Sequence, residues 1–194
     1  MSAEAQQLVD TGYKATQAAL KIINDLLNAA QIEEGRFGFQ FQDVNLVEFL
    51  DKILAEVLTI AQEYKISVYF DRPPEKEVLV NADPSRLAMV VSNLVDNAIR
   101  YNVPGGEVTV GLETKDGQAQ VSVKDTGVGI KEEDLNKLFG KFFRGENIQK
   151  SVPTGSGLGL YIVKNIIEAH KGKVWAESVP NRGSKFYFTL PLKS

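Results

Sequence analysis

The stretch DPSRLAMVVSNLVDNAIRYNVPGGEVTVGLETKDGQAQVSVKDTGVGI, residues 83–130, switches from a helical to a strand period and ends in glycines. Asp83-Pro84 is a helix start, with aspartate as N-cap and proline at the first helical position. Leu87, Val91, Leu94 and Ala98 fall on one stripe, and the helix runs to about Tyr101, stopping before Pro104-Gly105-Gly106. Glu107 to Thr114 and Ala119 to Lys124 then read as two strands around the turn Lys115-Asp116-Gly117, a β-hairpin. Upstream, the pattern predicts an amphipathic helix from Leu46 to Glu63 and strands from Ile66 to Phe70 and from Glu77 to Asn81. Downstream, it predicts a short helix from Lys131 to Leu138 and a polar segment from Gly140 to Ser156. A helix from Leu158 to His170 and strands from Lys173 to Ser178 and Ser184 to Leu190 close the chain. This order is not a regular strand–helix alternation. It predicts an α+β fold, an α/β sandwich with one mixed sheet and helices on one face.

Ahead of this unit, Ala3 to Ile32 reads as one proline-free helix. Leu8, Ala15, Ala19, Ile22, Leu26 and Ala29 form a seam broken at Gly12 and widened by Ile23, Leu27 and Ala30. The seam fits either a helix packed on its own domain or half of a helical bundle. Gly35 punctuates the chain, and Phe37-Phe39-Phe41 alternates like a short strand. The expected division is therefore 1–36, a linking helix, and 37–194, the globular domain.

With 194 residues, 43% of them apolar, the chain can bury a core without covalent staples. It contains no cysteine, which excludes disulfides, zinc–thiolate sites and cysteine nucleophiles and fits a reducing, cytoplasmic setting. A net charge of −3 gives no reason to expect nucleic acid or an anionic membrane as partner. No apolar run approaches a bilayer span and the N-terminus does not read as a signal peptide, so no membrane contact is expected from this segment.

Three constellations carry chemistry. Asn93, Asn97 and Arg100 share a helix face, and two amides with a guanidinium suit magnesium and phosphate; a merely solvated face would look the same. Asp125-Thr126-Gly127-Val128-Gly129-Ile130 follows a strand. Its glycines let backbone approach a flat ligand and its carboxylate can only accept hydrogen bonds, although an aspartate-capped turn is the plainer reading. Gly155-Ser156-Gly157-Leu158-Gly159-Leu160 enters a helix, where free N–H groups and the dipole favour an anion; a flexible linker is the alternative. Between the last two lies Phe139-Gly140-Lys141-Phe142-Phe143-Arg144, with aromatics that either anchor the fold or form a mobile flap, and with Lys141 and Arg144 able to reach phosphate.

Taken together and in order, these residues resemble the N, G1, F and G2 boxes of the sensor histidine kinase catalytic domain, within the GHKL superfamily and its Bergerat ATP-binding fold. The resemblance covers about Asp43 to Leu192. Leu26-Leu27 to Arg36 is similar to the end of the second helix of that family's dimerisation hairpin. The resemblance implies ATP and Mg2+ as cofactors. It places the adenine amine at Asp125 and the adenine pocket at Gly127, Gly129 and Ile130. Magnesium falls to Asn97 with Asn93 nearby, and phosphate or nucleoside contacts to Arg100 and Tyr101. The phosphates fall to Gly155, Gly157, Leu158, Gly159 and Leu160 under a mobile lid, with Arg144 and Lys141 approaching the terminal phosphate.

The family's phosphoacceptor histidine is missing. The only histidine, His170, reads as a cation at a helix C-terminus. The resemblance thus implies an ATP-dependent protein-histidine kinase domain that acts on a hairpin outside this chain. Its partners would be that hairpin, a downstream response regulator, and a second copy through the N-terminal helix. GHKL ATPases of the gyrase, chaperone or mismatch-repair type are the alternative, but they carry a glutamate base where this chain has Asn93. A nucleotide-sensing module without phosphotransfer is the third reading.

Overall fold

Alternating apolar residues in the central strands all turn towards one side, and that side is covered by helices. The computed structural model describes residues 2–145 and 155–193. Strands β2 (Ser67–Asp71), β4 (Glu107–Lys115), β5 (Gln118–Asp125), β7 (Ser184–Pro191) and β6 (Val174–Ser178) form one sheet in the order β2-β4-β5-β7-β6. Only β2 and β4 pair in parallel, so the sheet is mixed. In register across it, Val110, Val123 and Phe186 are buried, as are Leu112, Val121 and Phe188. The opposite face carries Thr109, Ser122, Lys185 and a stacked Trp175–Tyr187 pair. A separate antiparallel pair, β1 (Gln42–Asn45) with β3 (Leu79–Ala82), flanks the sheet.

Helices α2 (Leu46–Glu63), α3 (Pro84–Arg100) and α5 (Gly159–Ala169) form the covering layer, with a short α4 (Glu132–Leu135) between β5 and α5. The expected α3 stripe of Leu87, Val91, Leu94 and Ala98 is fully buried, joined by Val90, Val95 and Ile99. Each of the leucine, valine and isoleucine side chains contributes about 1.5–3 kcal/mol on burial. The hairpin turn is tighter than expected. Lys115 pairs with Gln118, and only Asp116 and Gly117 turn the chain, both at positive φ, the geometry that a right-twisted hairpin prefers.

Two local expectations are corrected. Phe37-Phe39-Phe41 is not a strand. Phe37 lies under the Arg86 guanidinium, and Phe39 and Phe41 pack on the His170 ring, so aromatic packing rather than strand pairing holds this segment. His170 is not a surface cation. It is buried, its Nδ1 hydrogen-bonds the Ile166 carbonyl at 2.7 Å, and its Nε2 accepts the Asp83 N–H at 2.9 Å. Burial pushes the imidazole below its ordinary value, although the Ile166 carbonyl and the Asp83 charge oppose this. Asp83 caps α3 as expected, accepting from Arg86 N–H at 3.0 Å and also from Gln40 N–H at 2.7 Å. Burial disfavours its charge, but backbone donors from Gln40, Arg86 and Ser85 and the Arg86 charge together hold the carboxyl below the usual range.

Helix α1 (Ala3–Glu33) packs on α5 through one narrow face, with Ala29 and Asp25 buried. Ala29 of the expected seam turns inward, whereas Leu8, Ile22 and Leu26 of that seam remain exposed, Leu8 to 73%. Packing on its own domain and an outward seam therefore coexist in one helix.

The core is tested by contrast. Leu94→Ala, at 0% exposure, is expected to destabilise by about 3 kcal/mol through lost burial and an incompletely closed cavity. Leu26→Ala, at 53% exposure, is expected to change stability by less than about 0.5 kcal/mol in urea denaturation of the monomeric state.

Candidate functional site

The site forms where the C-terminal half of α3, the loop after β5 and the start of α5 meet. Asn97, Tyr101, Asp125, Val128, Gly129, Ile130, Leu138, Leu160, Ser184 and Phe186 line one cleft. The loop after β5 is pressed against its neighbours. A Cβ on Gly127 would lie 2.2 Å from the Tyr101 carbonyl oxygen, and Gly129, at φ +66°, leaves the same 2.2 Å to the Val179 carbonyl oxygen. Only glycine meets both demands. The Val128 N–H bonds the Tyr101 carbonyl at 3.1 Å, and the Ile130 N–H bonds the Ser178 hydroxyl at 2.8 Å, fixing the loop at both ends.

Asp125 is 5% exposed, and no ion pair to it forms among the described residues. Its Oδ1 accepts from Gly127 N–H at 2.8 Å and Ser184 N–H at 3.2 Å. Burial outweighs these two donors and raises the carboxyl to about 6. On α3, burial opposes ionisation of Asp96, but Lys21 and Arg100 hold its carboxyl below the usual range, with Arg100 Nε at 2.6 Å from Oδ1. Burial raises the Tyr101 phenol, while Arg144 and Arg100 pull it down and Asp96 adds to the rise.

Asn93 lies one turn before Asn97 and faces the start of α5, where a Cβ on Gly159 would lie 3.3 Å from its Oδ1. Gly155 is within reach of Arg144, whose Nη1 donates to the Gly155 carbonyl at 3.4 Å. Gly157 abuts the backbone of Phe142, whose own φ of +58° places a strained residue beside the loop. Leu158 is buried just before α5, and Leu160 forms one wall of the cleft. Of the expected site residues, Asn97, Tyr101, Asp125, Gly129, Ile130 and Leu160 line the cleft, whereas Asn93, Arg100, Gly127, Gly155, Gly157, Leu158, Gly159, Arg144 and Lys141 do not, and Lys141 is turned to α1. It pairs with Glu33 of α1 and lies 5.2 Å from the Tyr161 ring centroid. Residues 146–154, within the expected lid, lie outside the described residues.

The Histidine kinase-, DNA gyrase B-, and HSP90-like ATPase family matches residues 82–194, which hold every element of the cleft. The chain belongs to this ATPase family. The adaptive-response sensory kinase SasA of Rippkaea orientalis is 36% identical over 188 residues, 96% of this chain and 47% of that protein. The catalytic domain of histidine kinase ThkA aligns at 30% identity with a TM-score of 0.68, over 79% of this chain and 96% of that domain. A structure of ThkA in complex with the response regulator protein TrrA aligns at 25% identity and a TM-score of 0.76, over 100% of this chain and 53% of that one. The chain spans less than half the length of the curated sensor kinases it matches.

Membership of this ATPase family supports nucleotide binding by the domain, and the cleft is the candidate place for it. Val128, Ile130, Leu138, Leu160 and Phe186 give the cleft apolar walls, and Asp125 places an acceptor among them. Ser184, Phe186 and Ser178 were not singled out from the sequence as site residues. Their signal was only the Gly183-Ser184 step after a turn, and it takes β7 lying beside β5 to bring Ser184 N–H to Asp125.

The elevated Asp125 has a measurable consequence. Above pH 6 it is ionised in both the folded and unfolded chain, and the folded chain bears the cost of burying the charge. As pH falls from 6 to 4 the folded carboxyl protonates first, and that penalty is relieved. Asp125→Asn, uncharged throughout, is expected to be about 1–3 kcal/mol more stable than wild type at pH 7.5, with the gain shrinking towards zero near pH 4. Urea denaturation across that range measures it.

Proposed function

We propose that this chain is the catalytic domain of a two-component sensor histidine kinase, binding Mg-ATP and passing the γ-phosphate to a histidine it does not itself carry. In this reading the free side of the Asp125 carboxylate accepts the adenine amine, with Gly127, Gly129 and Ile130 along the base. Gly155, Gly157, Leu158, Gly159 and Leu160 present N–H groups and the positive end of α5 to the phosphates. Arg100 and Tyr101 contact phosphate and nucleoside.

Among the described residues no cluster of three or more His, Cys, Asp or Glu could hold a metal. The cleft's hard oxygen donor towards magnesium is the Asn97 amide, with Asn93 beside it. That suits an ion whose remaining ligands are phosphate oxygens and water. Magnesium there neutralises phosphate charge.

The observation that favours transfer over hydrolysis is the amide at Asn93, beside the start of α5. An amide cannot take a proton from water at neutral pH, so position 93 does not supply the general base that the ATPase reading places there. Phosphoryl transfer instead rests on positioning and electrostatics, with Arg144 and Lys141 supplying positive charge to the moving group. His170 does not serve as acceptor, because it is buried with both ring nitrogens engaged.

The partners in this reading are the phosphoacceptor hairpin, docking near the exposed Phe142, and a response regulator downstream. A second copy would pair through the outward seam of α1. No described helix is long and apolar enough to cross a membrane. A cytoplasmic location is proposed.

Incubated with labelled ATP, the chain is expected to stay unlabelled and to label a separately supplied hairpin. Arg144→Ala is expected to cut the transfer rate about 10–100-fold while changing nucleotide Kd less than about threefold. Asp125→Asn is expected to weaken ADP binding about tenfold or more in calorimetry. Robust self-labelling, or steady hydrolysis without the hairpin, would refute the kinase reading.

A further inference from the structure

Ser178, at the end of β6, bonds three neighbours beside the cleft without lining it. Its hydroxyl oxygen accepts the Ile130 N–H at 2.8 Å, lies 2.8 Å from the Gly183 carbonyl oxygen, and lies 3.0 Å from the Ser184 hydroxyl oxygen. These contacts fix where the protons sit. A carbonyl oxygen can only accept, so the contact with Gly183 takes the single Ser178 proton. The contact between the two hydroxyls then takes the Ser184 proton, and Ser184 is left with lone pairs for any other neighbour. Ser184 lines the cleft with Asp125, whose Oδ1 accepts the Ser184 N–H at 3.2 Å. The step is held tightly, because a Cβ on Gly183, at φ +90°, would lie 2.0 Å from the Asp125 carbonyl oxygen. Asp125 and Ser184 therefore stand side by side as acceptors.

We propose that Ser178 is a positioning residue for base selection: by giving its proton to the Gly183 carbonyl it holds the Ser184 hydroxyl as an acceptor beside Asp125, so that the cleft takes a base with an exocyclic amine and rejects one with a carbonyl in its place. The proposal rests on the nucleotide reading of the cleft. An exocyclic amine brings two N–H donors to this pair of acceptors. A carbonyl brings lone pairs against both, and a site with its polar groups left unpaired discriminates strongly. Ser178 touches no ligand in this reading and acts through its neighbours alone. Without its hydroxyl, Ser184 is free to rotate and to donate, and the rule at this end of the cleft relaxes. Removing the hydroxyl also leaves the Ile130 N–H unpaired, which loosens the loop for every base alike. The two effects are separable, because only the first changes the preference between bases.

The test is the ratio of affinities of the whole chain for ADP and for inosine diphosphate, which carries a carbonyl where ADP carries its amine. Both are measured with magnesium by calorimetry at pH 7.5, above the Asp125 value of about 6. Wild type is expected to favour ADP about 10-fold or more. Ser178→Ala is expected to lower that ratio about 5-fold, and Ser178→Thr, which keeps the hydroxyl, to leave it within about twofold. Ser184→Ala removes the oriented oxygen itself and is expected to lower the ratio to a similar degree. Adding Ser178→Ala to Ser184→Ala is then expected to change the ratio less than about twofold, since nothing remains to orient. A merely structural Ser178 would weaken both nucleotides equally and leave the ratio unchanged, and that result overturns the proposal. An unchanged ratio in Ser184→Ala overturns it too, whether or not Ser178→Ala folds, as does a wild type that binds both nucleotides alike. Failure of wild type to bind ADP at millimolar concentration would instead overturn the nucleotide reading on which the proposal rests.

Discussion

The packing of α3 on the sheet is the constraint from which the site follows. Its buried stripe, Leu87, Val91, Leu94 and Ala98, fixes the rotation of the helix about its own axis. At 100° per residue that rotation also determines where Asn93, Asn97 and Arg100 point. Asn97 and Tyr101 then line the cleft, and Asn93 meets Gly159 of α5. The Asp83 cap and its bond to His170 fix the N-terminal end of α3 against the C-terminal end of α5. The two helices that border the cleft are thus locked together at the end remote from the chemistry, and the loops between them remain the adjustable part.

Asp125 shows what the site costs the fold. A carboxylate buried with two N–H donors and, among the described residues, no paired cation is less stable than a neutral side chain of the same shape would be. In the proposed function the Asp125 carboxylate is the acceptor offered to a ligand amine. Strain at Phe142, with positive φ beside Gly157, belongs to the same region. Unfavourable burial and backbone strain in one region are the pattern expected of a binding site.

Helix α1 is bound to the domain differently from the others. It buries little apolar surface, leaves much of its apolar seam exposed, and relies on Asp25, Lys21 and Glu33 for its polar contacts. Of these, the Lys21 and Glu33 ion pairs contribute little each, on the order of 1 kcal/mol or less. An element held this way can be moved by modest forces, whereas α3 cannot be moved without opening the core.

The sequence by itself determined the elements, the cap at Asp83, the hairpin, and the three constellations in an order similar to one family. These signals are local, each contained in a few residues whose period or turn chemistry suffices to read it. Only the tertiary structure decided that Phe37 to Phe41 pack as rings rather than pair as a strand. The same holds for the neutral His170, for Ser184 as the second donor to Asp125, and for Lys141 facing Glu33 rather than the cleft. Asp125 and Ser184 are 59 residues apart, Lys141 and Glu33 108. Contacts at that separation depend on which faces the core has buried, and periodicity, which reports a face but not its partner, carries no information about them.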